Sequence, residues 1–115
     1  MTRDGIDAAF VPSFPRFYEE HLQIIEAAAR HRIPATYEWG DMARAGGLMA
    51  YGAVISDLQR RVAHYVDQIL KGTTPCDLPI EQPTRFELVI NLKTAKALGI
   101  TVPRSLLRFA DQVIR

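Results

Sequence analysis

The sequence has few cysteines, little net charge and no long hydrophobic run, the features that would indicate a cellular compartment or a nucleic-acid or membrane partner. Its 115 residues include one cysteine, Cys76, which cannot form an internal disulfide, so neither an oxidising nor a reducing compartment is implied. The formal net charge is +1, which gives no reason to expect nucleic acid or an anionic membrane as a partner. No hydrophobic run is long enough to span a bilayer, and the first residues, MTRDGIDAAF, lack the apolar core of a secretory signal. The sequence as written therefore predicts a cytoplasmic location.

Catalytic and metal-binding patterns are equally scarce. The three histidines, His21, His31 and His64, have none of the spacings typical of metal ligands on a helix. There is no G-x-S-x-G motif, and Cys76 stands in a proline-rich stretch with no histidine nearby. A phosphoacceptor receiver domain would match in length, but Asp7 begins its predicted strand instead of following it. We therefore expect no enzymatic activity, no metal and no cofactor.

The sequence does contain a regular alternation of short apolar runs and amphipathic segments. Strands are predicted at residues 7–11, 35–38 and 48–51, and amphipathic helices at residues 16–31 and 56–71. This order predicts an α/β fold of three layers, in which a parallel sheet is flanked by helices. The predicted α/β domain covers residues 6–72.

The composition changes after this domain. Residues 73–84 are rich in proline and are predicted to form an extended connector. Residues 85–115 are predicted to form a strand, a short helix that stops at Gly99, and a last helix that begins near Ser105. Within the strand, alternation places three apolar side chains on one face: Phe86, Leu88 and Ile90.

The glycine-rich stretch ARAGGLMAYG, residues 43–52, raises the question of phosphate binding. A phosphate-binding loop follows a strand and begins a helix. Gly46 and Gly47 instead precede the predicted strand, which favours a simple turn.

Polar and aromatic side chains gather at the other end of the predicted strands. In parallel α/β sheets, ligands bind beyond the carboxyl ends of the strands. The residues at those ends are Ser13, Phe14, Glu38, Trp39 and Tyr51. A hydroxyl, a carboxylate and three aromatic rings suit a small ligand with an amine and an apolar or aromatic body. The alternative for the two aromatic residues Phe14 and Trp39 is that they only cap the core.

Several stretches of the sequence resemble one known family. AGGLMAYG, ILKG and LPIEQPTRFELVINLKTAKALGI are similar to the C-terminal part of ABC transporter substrate-binding proteins of the tryptophan/tyrosine type, and the similarity runs from DAAFV to the last residue. The resemblance implies part of the second lobe of a type I periplasmic binding protein, with a crossover near residues 78–83. It also implies a periplasmic location, binding of an amino-acid-like solute at the five residues named above, and delivery to an ABC permease without chemistry.

Relatives of this kind are roughly two to three times longer, about the size of two domains. We therefore expect the isolated chain to expose apolar surface at Phe86, Leu88 and Ile90 and to form a homodimer through it. The alternative to a solute-binding lobe is a small self-associating structural or interaction protein without transport activity.

Overall fold

The computed structural model describes residues 5–115, in which five strands form one sheet flanked by helices. The predicted α/β class is confirmed. The strands are β1 (Ala9–Val11), β2 (Ala35–Tyr37), β3 (Met49–Ala53), β4 (Phe86–Asn91) and β5 (Gln112–Ile114). The helices are α1 (Pro15–Glu19), α2 (His21–Arg30), α3 (Gly40–Arg44), α4 (Ile55–Leu70), α5 (Leu92–Leu98) and α6 (Arg104–Phe109), with a 3-10 turn at Pro75–Asp77.

The sheet has the strand order β1-β2-β3-β4-β5 and is mixed. The first three strands run parallel, as predicted, and Tyr37 of β2 lies beside Ala50 of β3. β4 is antiparallel to β3, with Ala50 opposite Val89, and β5 is parallel to β4. The chain thus leaves the sheet after β3 and returns beside the same strand in the opposite direction. Segments 6–72 and 85–115 consequently share one sheet.

The core lies where α2 and α3 cover the sheet. Ile25 of α2 is 8% exposed, and it packs in one cluster with Tyr37, Met42, Ala50 and Val89. The predicted helix over residues 16–31 is divided at Glu20 into α1 and α2, and the stripe that includes Ile25 is carried by α2. Of the apolar stripe expected here, only Ile25 is buried; Leu22 and Ala29 are exposed, and Ile24 and Ala28 pack against the core beside Ile25.

The glycine pair before β3 forms a turn, as expected. The N–H of Gly47 donates to the carbonyl of Met42, and Gly46 has a φ of 120°, which favours glycine. Gly47 also lies against the buried ring of Tyr37, where an added Cβ would come within 2.5 Å. The pair therefore ends α3 and lets β3 pass close to the core.

The position of α4 differs from the prediction that this helix packs on the sheet. Every residue of α4 is at least partly exposed, and Val62 is 61% exposed. The helix packs instead along the returning connector, where the hydroxyl of Tyr65 donates to the carbonyl of Pro79. The amphipathic pattern was correct, but its apolar side is not covered by this sheet. Across residues 5–115, no helix combines the length and the apolar character needed to cross a membrane.

The C-terminal region departs from the prediction at two points. The face expected to be exposed is largely covered, because Ile90 is buried, Leu88 is half-buried and only Phe86 is strongly exposed. The predicted last helix ends at Phe109, and β5 follows it. Asp111 aligns this segment with β4 through two hydrogen bonds to Leu88. Its carboxylate accepts the N–H of Leu88, and its own N–H donates to the Leu88 carbonyl.

Candidate functional site

A cleft of about 400 Å³ lies at the carboxyl ends of the three parallel strands. Ser13 follows β1, Glu38 and Trp39 follow β2, and Tyr51 is the middle residue of β3. All four side chains line the cleft. The topology therefore brings together four of the five residues that the sequence indicated.

The fifth residue, Phe14, has a different place. Its ring packs edge-on against Phe17 at a centroid distance of 5.7 Å, and 57% of the residue is exposed. Phe14 also precedes Pro15, the first residue of α1, so its position is fixed by the start of that helix. It therefore belongs to the surface beside the cleft, not to the cleft wall.

Glu38 is the acidic group of the cleft and is held by the neighbouring strand end. Its carboxylate accepts the backbone N–H of Ser13 at 2.5 Å, which joins the ends of β1 and β2. A carboxylate that accepts one N–H retains free lone pairs. Glu38 can therefore accept further hydrogen bonds from a cationic or amine-bearing ligand.

Gly52 allows β3 to lie close to the backbone of Glu38. A Cβ on Gly52 would lie 1.8 Å from the carbonyl oxygen of Glu38, a distance that excludes every larger residue without movement of the backbone. Tyr51 precedes Gly52, and its side chain is 58% exposed at the cleft. The close packing of the two strand ends thus sets the spacing between the Glu38 carboxylate and the Tyr51 ring.

Aromatic rings form two sides of the cleft. Trp39 meets Tyr18 edge-to-face at 4.7 Å and also packs against the core cluster, so the core-capping alternative describes part of its role. Tyr51 stacks on Phe86 of β4 with centroids 5.9 Å apart and an angle of 22° between the planes. This stacked pair offers a flat apolar surface at the cleft.

Five lining residues are outside the set that the sequence indicated. Gly52 and Ala53 simply continue β3 past Tyr51, whereas three come from other segments: Leu58 of α4, Pro83 of the connector and Phe86 of β4. These last three residues lie on the segments that leave the sheet and return to it, opposite the strand ends. Their position depends on the antiparallel return of β4. The alternation in RFELVINL indicated Phe86 as a face residue but contained no signal for the strand beside which it would lie.

Charged side chains next to the cleft are engaged with one another. Arg44 donates to Glu87 at 2.6 Å, to Asp41 at 2.9 Å and to Gln112 at 2.8 Å. The hydrogen bond to Glu87 raises the pKa of the Arg44 guanidinium above its usual range. This network joins α3, β4 and β5, and it leaves Glu38 as the carboxylate that faces the cleft.

A larger groove of about 650 Å³ lies between α4 and the connector. Its floor includes Val62 and Tyr65, and its edge includes an ion pair between Arg61 and Glu81. Arg61 lowers the pKa of the Glu81 carboxyl through its hydrogen bonds. The groove adjoins the cleft, with which it shares Leu58 and Pro83. Of the two, only the smaller cleft is lined by residues that end or follow all three parallel strands, where such sheets bind ligands, so it is the stronger candidate.

The family model described as "ABC transporter substrate binding protein" matches residues 2–114. The chain belongs to this family. The resemblance seen in the sequence is thereby confirmed. A comparison with curated proteins gives no significant match.

Solved structures share the fold. The ABC domain from Streptococcus pneumoniae, in complex with L-Trp, superposes with a TM-score of 0.88 at 30% identity, over 98% of this chain and 38% of that chain. A conserved domain protein from Vibrio cholerae gives 0.87 at 25% identity, over 93% and 36%. A ligand-free, open substrate-binding protein with adhesive properties from Clostridium difficile gives 0.56 at 20% identity, over 91% and 35%, which shows the fold alone. The chain therefore spans little more than a third of the length of these relatives.

Proposed function

We propose that this protein binds an amino-acid-like solute at the strand-end cleft, as the solute-binding component of an ABC uptake system. The observation that carries the proposal is the convergence of Ser13, Glu38, Trp39 and Tyr51 on one cleft. These residues lie in or just after three separate strands, and their side chains suit such a ligand.

The cleft divides into a charged part and an aromatic part. Glu38 would neutralise the ammonium group of the solute, since its carboxylate retains free lone pairs beside the Ser13 N–H. The stacked rings of Tyr51 and Phe86 would contact an apolar or aromatic side chain. The Streptococcus pneumoniae relative is in complex with L-Trp, which supports this ligand class for our protein.

The role outside the cleft follows from family membership. We propose that the solute is handed to an ABC permease, that the protein acts in the periplasm or outside the cell, and that binding involves no covalent chemistry. Two residues that line the cleft, Tyr51 and Phe86, are 58% and 48% exposed. A pocket usually buries most of its ligand, so this open cleft should bind weakly.

Isothermal titration calorimetry with L-tryptophan, L-tyrosine and L-leucine tests the proposal. We expect binding that weakens at least tenfold in Glu38→Gln, because the amide keeps an acceptor oxygen for Ser13 but loses the charge. Glu26→Gln is the matched control, since Glu26 pairs with Arg30 on the exposed side of α2.

Equal affinities of wild type, Glu38→Gln and Glu26→Gln would contradict the assigned site. A complete absence of binding, together with a stable dimer in sedimentation, would favour the alternative of a self-associating protein without transport activity. The dimer expected from the sequence remains a prediction, and the same sedimentation experiment tests it.

A further inference from the structure

The strand-end cleft is negatively charged. Among the cleft-lining residues that the structure describes, Glu38 carries the only charge. The other lining side chains are small or apolar, as in Leu58, aromatic, as in Trp39, or bear a hydroxyl group, as in Ser13. A site with these side chains attracts a cation and offers no ion pair to an anion.

The backbone donor beside Glu38 is already occupied. The N–H of Ser13, just after β1, donates to the Glu38 carboxylate at 2.5 Å. A solute carboxylate at this strand end could accept the same N–H only by displacing Glu38. The hydrogen bond therefore keeps a carboxylate of the protein, and not one of the solute, at the end of β1.

The arginines around the cleft are already paired with carboxylates. Arg44 belongs to the network that joins α3, β4 and β5. In the adjoining groove, Arg61 pairs with Glu81, and Arg85 pairs with Asp57 at 3.1 Å. A solute carboxylate could bind one of these guanidinium groups only by displacing the carboxylate that already binds it. Such an exchange would add no ion pair, so it would contribute little to affinity.

An α-amino acid carries its carboxylate next to its ammonium group, because both are attached to the same carbon. With the ammonium at Glu38, the solute carboxylate would lie close to the Glu38 carboxylate and repel it. A cationic amine without a carboxylate makes the same attractive contact and avoids this repulsion. The stacked rings of Tyr51 and Phe86 are available to the apolar body of either solute.

We infer that the strand-end cleft of this chain selects cationic amines with an aromatic body over the corresponding zwitterionic amino acids. The inference rests on the proposed function, since it names the class of solute that the same cleft prefers. The amine binds at Glu38, and the aromatic body lies against Tyr51 and Phe86. A carboxylate on the solute is not required and weakens binding.

Isothermal titration calorimetry with four indole compounds tests the inference. L-Tryptophan is the zwitterion, tryptamine lacks the carboxylate, L-tryptophanamide replaces it with a neutral group of nearly the same size, and indole-3-propionate lacks the amine. We expect tryptamine and L-tryptophanamide to bind at least about tenfold more tightly than L-tryptophan, and indole-3-propionate to bind most weakly.

Glu38→Gln removes the charge that distinguishes these compounds. In this variant the ratio of the L-tryptophanamide and L-tryptophan affinities should fall to about threefold or less. Glu26→Gln is the matched control, since Glu26 pairs with Arg30 away from the cleft, and it should keep the wild-type order of affinities.

The order of affinities in wild type tests the inference even if Glu38→Gln does not fold. L-Tryptophan binding as tightly as L-tryptophanamide would overturn the inference and leave the proposed function in place. Binding of the two amines without binding of L-tryptophan would support the inference and contradict an amino acid as the solute. No binding of any of the four compounds would contradict both. A preference for L-tryptophanamide that persists in Glu38→Gln would also overturn the inference, because another group would then recognise the cation.

Discussion

The backbone N–H of Ser13 donates to the Glu38 carboxylate at 2.5 Å, across the ends of two parallel strands. This bond gives Glu38 two roles, since one lone pair joins β1 to β2 and the others face the cleft. Glu38→Ala would remove both roles at once. Glu38→Gln keeps an oxygen for Ser13 and removes only the charge, which makes it the informative variant for ligand binding.

The core depends on the apolar stripe of α2. Ile25→Asp should unfold the protein, because an unpaired carboxylate at a site that is 8% exposed costs several kcal/mol. Leu22→Asp is the control on the same helix, where the residue is 62% exposed, and it should change the free energy of unfolding by less than about 0.5 kcal/mol. Thermal melts followed by circular dichroism measure both, and an unchanged melt of Ile25→Asp would mean that α2 does not pack as described.

Gly52 is predicted to be irreplaceable for a steric reason. In Gly52→Ala the new methyl group would lie 1.8 Å from the Glu38 carbonyl oxygen, and we expect a loss of about 3 kcal/mol or more. In Gly72→Ala the new methyl group has no neighbour within 4 Å, so the loss of stability comes only from the positive φ of 103° and should be about 1–2 kcal/mol. Urea denaturation compares the two variants, and a Gly52→Ala protein as stable as Gly72→Ala would show that the strand ends are farther apart.

Asn91 is a buried polar residue that joins β4 to α5 and to α3. Its amide donates to the Ala43 carbonyl at 3.1 Å, and its oxygen accepts the N–H groups of Lys93 and Thr94 at the start of α5. Asn91→Ala should cost about 2–3 kcal/mol, because it removes a helix cap and leaves a carbonyl without its donor. Gln23→Ala, at an exposed amide on α2, should cost less than about 0.5 kcal/mol in the same urea experiment. Equal losses would indicate that the Asn91 bonds are not formed.

The contact between the connector and α4 should weaken in acid. Arg61 holds the pKa of Glu81 below its ordinary value of 4.5, so this carboxylate contributes stability above that pH and loses it as the pH falls through the lowered pKa. Carbon-13 NMR titration of Glu81 should show the lowered pKa in wild type and a return towards the ordinary value in Arg61→Gln. Arg60→Gln, next to it in the sequence, should leave the Glu81 pKa unchanged. A Glu81 pKa that does not respond to Arg61→Gln would contradict the ion pair.

Hydrophobic patterning predicted the three parallel strands and the place where four site residues meet. Short apolar runs that end near Pro12, Trp39 and Gly52 mark strand ends, and parallel pairing then brings these ends together. The sequence did not indicate which part of the protein packs against α4, because the apolar stripe of α4 is typical of any helix that is covered on one side. It therefore could not distinguish packing on this sheet from packing on another domain.

The C-terminal errors have a related cause. SLLRFADQVI has helical periodicity throughout, but its last residues pair with β4 once Asp111 exchanges hydrogen bonds with Leu88. Phe86 was expected on an open apolar face, and it lies instead beside Tyr51 at the cleft. In both cases the deciding contact joins residues more than twenty positions apart, which local periodicity does not record.

The most direct test of the proposed site uses the single tryptophan of the chain. In nitrogen-15 NMR spectra of the labelled protein, Trp39 gives one indole N–H signal, while unlabelled L-tryptophan added as ligand gives none. We predict that this signal and the amide signals of Ser13, Glu38 and Tyr51 shift saturably as L-tryptophan is added, and that saturation in Glu38→Gln requires at least about tenfold more L-tryptophan. Shifts confined to α4 and the connector, or no saturable shift in any region, would contradict the assignment of the cleft.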